Sequence, residues 1–312
     1  MIEFKNVSKE YEQGLALNNL NLNIDEGELF VLVGPSGSGK TTLLKMINGL
    51  NTPTTGEIRI ADEDIKNSNI RQLRHNIGYV LQAGALFPNM TVEQNASIQL
   101  DLLGWNETRK HDRICELMVH VGLDPETFLS RMPSELSGGE AQRVGIVRAL
   151  AGQPNVVLMD EPFSALDPIS RAQLQEVVFE LHREIETTFV FVTHDMQEAL
   201  KLADRLAVLY QGELQQVGKP QDILSHPANQ FVKDFFDNDT SVEIFLQQVI
   251  DAGFGVQQTD ETAIPMGDDQ TIFDWSREIH DRPNQLIVVD QIILQPEDLV
   301  NYMATLRVGV IR

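Results

Sequence analysis

Short unbroken apolar runs recur along this chain, separated by longer stretches in which apolar residues return every three or four positions. Phe30-Val31-Leu32-Val33, Val156 to Met159 and Phe189 to Val192 contain no polar residue. Runs of this kind are expected of parallel strands covered on both faces, because a strand with one wet face alternates instead. Ile77 to Leu81 predicts a further strand, and Lys40 to Gly49 predicts a helix. Met90 to Ala151 has a mainly helical pattern and falls between strands. Ala207 to Val217 predicts a hairpin with Gln211-Gly212 near its turn. Strands and helices that alternate in this way predict an α/β fold, and no repeat of roughly 20–50 residues interrupts the pattern.

Phe231-Val232-Lys233-Asp234-Phe235-Phe236 predicts an amphipathic closing helix, and Asp237-Asn238-Asp239-Thr240 marks a boundary. The expected domains are 1–239 and 240–312. In the second, Val242 to Ala252 predicts a helix, and Ile272, Trp275 and Ile279 share a face at helical spacing. Leu286 to Val289 and Ile292 to Leu294 predict two strands around an Asp290-Gln291 turn. Pro296-Glu297-Asp298 then opens a last helix, with acids placed at its positive end.

Charge narrows the function. The chain carries a net −22, which argues against nucleic acid or an anionic lipid surface as a broad partner. Residues 240–312 hold 12 acidic side chains, four arginines and no lysine, a net of −8. No apolar run reaches the ~18–20 residues of a membrane-spanning helix, and the first residues lack a signal-segment pattern. Cys115 is the single cysteine. It is expected to be a buried apolar residue of a protein kept in a reducing compartment.

The candidate chemistry begins after the first strand. Gly34, Pro35, Ser36, Gly37, Ser38, Gly39, Lys40 and Thr41 fit the phosphate-loop pattern G-x-x-x-x-G-K-[ST]. Glycines let the backbone wrap an anion so that amides point at phosphate oxygens, and the following helix presents its positive end. Lys40 is placed to reach the β- and γ-phosphates, Thr41 to bind Mg²⁺, and Thr42 to sit against the phosphates. Val156 to Met159 ends in Asp160-Glu161. There Asp160 is suited to the Mg²⁺ shell and Glu161 to general-base catalysis on water.

Leu136-Ser137-Gly138-Gly139-Glu140 precedes a helical stretch and resembles the signature sequence of the ABC ATPases, with Glu140 in place of the usual glutamine. Ser137 with Glu140 also reads as a capping box. The other motifs of that family follow in order. Tyr11 resembles its adenine-stacking aromatic. Gln82 resembles the glutamine that senses Mg²⁺ and the membrane partner. Ser164-Ala165-Leu166-Asp167 resembles the loop coupling two subunits, and His194 resembles the switch histidine at the γ-phosphate.

The resemblance implies an ABC-type phosphate-loop hydrolase with a RecA-like core, an antiparallel β subdomain and an inserted helical subdomain at about 89–152. It also implies ATP and Mg²⁺, and a head-to-tail dimer in which one copy's signature completes the other's site. Lys40, Glu161 and His194 are its expected catalytic residues. A motor of this kind sits on the cytoplasmic face of a membrane, under permease subunits and indirectly served by an extracytoplasmic binding protein.

A soluble ABC ATPase is the alternative. However, Lys40 and Leu136 leave no room between them for the long coiled coil of the DNA-repair type. Ile77 to Gln82, Leu86-Phe87-Pro88, Leu102 to Trp105 and Asp160 to Pro168 look most like the importers of glycine betaine, carnitine or choline. Importers of another amine, an amino acid or a sugar are the alternatives within that class. The order of elements in 240–312 resembles a single CBS module, with a regulatory or dimerising role.

Overall fold

The computed structural model describes the chain apart from residues 13, 82–84, 165, 186, 240–245, 258–262, 268–269, 271–274, 276–278, 280–281, 283–284, 290–291 and 309–312. It divides into two units, 1–236 and 237–312.

In the first unit the elements run β1 (Ile2–Tyr11), β2 (Gly14–Ile24), β3 (Leu29–Val33), α1 (Lys40–Ile47), β4 (Thr55–Ile60), β5 (Glu63–Asp64), α2 (Ile70–His75) and β6 (Ile77–Val80). A helical stretch follows: α3 (Val92–Leu102), α4 (Glu107–His120), α5 (Pro125–Phe128) and α6 (Gly138–Ala151). Then come β7 (Val156–Asp160), α7 (Pro168–Glu184), β8 (Thr188–Val192), α8 (Met196–Leu202), β9 (Arg205–Tyr210), β10 (Glu213–Gly218), α9 (Pro220–Ser225) and α10 (Gln230–Asp239).

The unbroken apolar runs form the middle of a six-stranded sheet ordered β10-β9-β3-β8-β7-β6, parallel from β9 to β6. Both faces of these strands are covered, each by its own core. Leu29, Val31 and Val33 join Val157, Met159, Phe189 and Phe191 in one core, shared with residues of α3, α4, α6 and α7. Phe30 and Leu32 join Val156, Leu158, Val190 and Val192 in the other, with α1 and the four-stranded antiparallel sheet β2-β1-β4-β5. At roughly 1.5–3 kcal/mol per buried large apolar side chain, this two-sided burial accounts for the absence of polar residues from the runs. The predicted hairpin is β9–β10, paired antiparallel from Tyr210 and Glu213.

In the second unit the elements are α11 (Leu246–Asp251), β11 (Val256–Gln257), β12 (Ile264–Pro265), β13 (Ile287–Val289), β14 (Ile292–Leu294) and α12 (Pro296–Val308). The sheet order is β11-β14-β13-β12, with β12 parallel to β13 and the other pairs antiparallel. Trp275 is fully buried in its core, against Leu246, Val249, Ile287 and Leu294, and Ile279 packs at its edge. Ile272 and the Asp290-Gln291 turn lie outside the described residues. β11 and β12 are additions to the two strands expected from sequence.

Candidate functional site

The parallel strands β3, β7 and β8 deliver their C-terminal ends to one place, where open α/β sheets bind ligands. Two backbone bonds lock the ends together, Thr193 N–H donating to Leu32 O at 3.2 Å and Glu161 N–H to Val192 O at 3.0 Å, while Ser38 N–H donates to Pro35 O at 3.2 Å within the loop that follows β3.

Gly34 leaves β3 with φ 151°, and a Cβ there would stand 2.1 Å from the Leu209 carbonyl oxygen. Gly39 caps α1 in left-handed backbone at φ 100°. A Cβ on Gly39 would stand 2.6 Å from Ala16 O. These contacts wedge the loop between β2 and β9. Lys40 is buried, and its ammonium donates to Gly34 O at 2.7 Å and Pro35 O at 2.9 Å. Burial pushes its pKa down, opposed by the charges of Glu161 and Asp160. Ser38 is buried and its hydroxyl has no partner among the described residues, so a polar atom in the loop is left for a ligand.

Thr41 Oγ1 donates to Asp160 Oδ1 at 3.0 Å. The other carboxylate oxygen accepts from the Tyr79 hydroxyl at 3.4 Å. Tyr79 was not singled out from sequence, because its partner is remote in the chain. Burial and then Asp160 raise its pKa, so it stays a donor. A hydroxyl and a carboxylate side by side are hard oxygen donors of the kind Mg²⁺ takes alongside phosphate oxygens and water.

Glu161 stands in left-handed backbone at φ 47°, and its carboxylate lies 3.2 Å from His194 Nδ1. His194 is largely exposed, on the turn between β8 and α8. Asp167 caps α7, accepting from the N–H groups of Ile169 and Ser170. The Ser170 bonds, side chain first, hold its carboxyl below the usual range.

Ser137 and Glu140 form a capping box at the start of α6. Ser137 N–H donates to Glu140 Oε2 at 2.6 Å, and Glu140 N–H donates to Ser137 Oγ at 3.3 Å. Glu140 thus turns its charge onto its own helix end, and Gly138 has open space where a Cβ would stand. Among the described residues, no hydrogen bond joins Ser137, Gly138 or Gly139 to the phosphate loop.

Tyr11 is 43% exposed at the end of β1, with the Lys9 ammonium 4.8 Å from its ring centroid. Gln82 lies outside the described residues. The residues flanking that segment are held by α6: Gln142 Nε2 donates to Leu81 O at 3.4 Å and Arg148 Nη1 to Ala85 O at 3.1 Å. Cys115 is only half-buried on α4, its sulfur 3.5 Å from His111 Nε2, which corrects the expectation of a buried residue.

A glycine-wrapped loop running into a helix, with a carboxylate pair at the adjacent strand end, defines a phosphate-loop nucleotide-binding protein. Comparison with known proteins narrows this further. The ABC transporter family pattern matches residues 17–164. The carnitine transport ATP-binding protein OpuCA of Listeria monocytogenes (serotype 1/2a, strain 10403S) is 50% identical over 244 residues, covering 78% of this chain and 61% of that one. The glycine betaine/carnitine/choline transport ATP-binding protein OpuCA of Bacillus subtilis (strain 168) is 45% identical over 293 residues, covering 93% of this chain and 76% of that one. In structure, the chain is similar to the ATP-binding cassette MJ0796, solved as a dimer in a post-hydrolysis state with ADP and Pi. The TM-score is 0.64 at 35% identity, over 70% of this chain and 99% of that chain. The chain belongs to the ABC transporter ATP-binding family. It spans about three-fifths of the length of the Listeria relative.

Proposed function

We propose that this chain hydrolyses Mg-ATP as a head-to-tail pair and drives import of quaternary-amine osmoprotectants through a separate membrane permease. The observation that carries the hydrolytic reading is the convergence of Lys40, Thr41, Asp160, Glu161 and His194 at the ends of β3, β7 and β8.

The amides of residues 34–39, the α1 N-terminus and the Lys40 ammonium bind the triphosphate. Thr41 and Asp160 would hold magnesium, which supplies charge neutralisation on the phosphates when bound. Glu161 accepts the proton of the attacking water as its oxygen bonds to the γ-phosphorus and the bond to the β-phosphate oxygen breaks. His194 orients that carboxylate and faces the γ-phosphate. Tyr11 stacks on the adenine, and Gln82 reports the site's state to the permease. Ser137, Gly138, Gly139 and Glu140 of one copy close on the nucleotide of the other, with Asp167 and its loop between them.

The names of the relatives support carnitine, choline and glycine betaine as transported solutes. No helix among the described residues is long and apolar enough to cross a membrane. Membrane attachment is read as running through permease subunits on the cytoplasmic side, with an extracytoplasmic binding protein delivering solute, a reading supported by the transport names of the relatives. Residues 240–312 are read as one CBS-like module, a reading supported by the parallel β12–β13 pair followed by β14 and α12. Its net −8 without lysine favours pairing or regulation over attachment to an anionic lipid surface.

The test is phosphate release by the purified chain, followed by uptake of labelled betaine, carnitine and choline in proteoliposomes holding the co-purified permease. Hydrolysis that Glu161→Gln abolishes supports the reading, and a wild-type chain that binds Mg-ATP without hydrolysing it overturns it.

A further inference from the structure

The turn that carries His194 is tied to the loop before α7 by one guanidinium. Arg171, in the first turn of α7, places Nη1 3.4 Å from Asp195 Oδ2 and donates from Nη2 to Leu166 O at 3.4 Å. Its Nε lies 4.0 Å from Glu198 Oε1. Asp195 immediately follows His194, and Leu166 immediately precedes Asp167.

The turn is braced further from within. Thr193 Oγ1 donates to Glu198 Oε2 at 2.6 Å and accepts from Asp195 N–H at 3.0 Å. Asp195 caps α8 by accepting from Glu198 N–H at 3.2 Å, and Gln175 of α7 donates to Glu198 Oε1 at 3.4 Å. Thr193 and Glu198 are almost fully buried. The two residues flanking His194 therefore have fixed partners, while the imidazole itself stays largely exposed beside Glu161.

The lengths of the Arg171 contacts matter. A settled N–H···O bond has a heavy-atom distance of ~2.9 Å, and all three Arg171 contacts are longer. Catalytic hydrogen bonds that are long in the free enzyme often tighten as the reacting complex closes. A guanidinium is planar and carries five donors in a fixed fork, so it donates to the Leu166 carbonyl and the Asp195 carboxylate at once, with the Glu198 carboxylate at ion-pair distance. A lysine ammonium is a point charge that cannot span them.

We infer that Arg171 is a positioning residue for ATP hydrolysis, coupling the Leu166-Asp167 loop to the turn that aims His194 at Glu161. The inference rests on the hydrolytic reading above. In that reading the Leu166-Asp167 loop meets the second copy of the chain, so Arg171 carries the approach of that copy to the histidine. The pair His194–Glu161 is then set by assembly as well as by nucleotide.

The experiment compares wild type, Arg171→Met, Arg171→Lys and His194→Ala, with the Arg171→Met/His194→Ala double variant. The expected kcat of Arg171→Met falls on the order of tenfold to a hundredfold, the cost of misplacing a reacting group by about 1 Å. Its KM for ATP stays within about threefold, and Arg171→Lys recovers only part of the rate. In the His194→Ala background, Arg171→Met lowers the residual rate by less than about twofold, because residues acting as one unit are not additive. Thermal melting accompanies each variant.

The inference is overturned by Arg171→Met turning over within about twofold of wild type, or by its loss being undiminished in the His194→Ala background. It is equally overturned if kcat and ATP affinity fall together with the melting midpoint while Arg171→Lys matches wild type, since Arg171 then only holds the fold by its charge. A wild-type chain without ATPase activity defeats the hydrolytic reading itself, an outcome distinct from a normal Arg171→Met on an active background.

Discussion

His194 Nδ1 lies 3.2 Å from the Glu161 carboxylate, so the proposed general base and its proposed orienting group are already paired. Each group has a separable effect. Glu161→Gln is expected to bind Mg-ATP normally and to lose about 10²–10⁴-fold in turnover, the range of a general base. His194→Ala leaves the carboxylate in place but unaimed and should also lose kcat at nearly constant KM. Phosphate release and nucleotide titration, run on the same preparations, check both. A fall in ATP affinity that matches the fall in rate would contradict the assignment.

Gly34→Ala tests the fit of the loop. The added methyl would stand 2.1 Å from the Leu209 carbonyl oxygen, which is backbone and cannot swing aside. The φ of 151° adds strain of about 1–3 kcal/mol. The variant should melt lower and lose nucleotide binding together. Gly138→Ala is the control. Nothing lies within 4 Å of its Cβ, so it should fold normally and keep nucleotide binding in the single copy.

Glu140→Gln tests whether the signature's carboxylate acts beyond its capping box. Glutamine keeps the box geometry, and losing a charge at the positive helix end costs roughly 0.3–1 kcal/mol. Against that, one negative charge leaves the face proposed to meet a γ-phosphate. ATP-driven dimerisation in a Glu161→Gln background should therefore tighten at low salt. The difference should shrink above roughly 0.1 M salt, where the screening length is ~10 Å. Sedimentation at two ionic strengths measures it, and equal dimerisation at low salt would show that the charge does not reach the nucleotide.

Glu28 offers a pH test in the core. It is almost buried, accepts from Asp25 N–H at 2.8 Å and pairs with Arg205 at 3.2 Å. Burial is the largest influence and raises its pKa above the ordinary carboxylate value, with the Asp25 bond and Arg205 opposing. A raised folded-state pKa means that the stability from this group is complete below the unfolded-state value. It is lost as pH rises through the folded-state value. Glu28→Gln removes that loss. Relative to wild type, its melting midpoint should climb as pH rises from the ordinary carboxylate range through the folded-state value. A flat difference would refute the assignment.

The parts of the site made of consecutive residues were legible in the sequence. The loop from Gly34 to Thr41 and the pair Asp160-Glu161 each follow an unbroken apolar run, and a buried strand allows few other readings of such a run. The antiparallel sheet was not read from residues alone, for a physical reason visible in β1. Ile2 and Phe4 are buried on one parity, but Val7 is buried on the other, because the register to β2 slips between Phe4 and Val7. A bulge of that kind erases the period-two signal. β11 and β12 are two residues each, too short to leave any period. Tyr79 and Arg171 were invisible for another reason: their partners Asp160 and Asp195 are adjacent only after folding.

Glu161 holds its carboxylate on left-handed backbone, at φ 47°. A side chain there costs roughly 1–2 kcal/mol relative to glycine. Glycine at this position should consequently yield a chain that melts higher and does no work. A search that ranks variants by thermal resistance alone would thus converge on an inert protein. If Glu161 is the general base proposed above, position 161 is where durability and turnover select opposite residues, and any hardened version of this chain has to gain its robustness elsewhere.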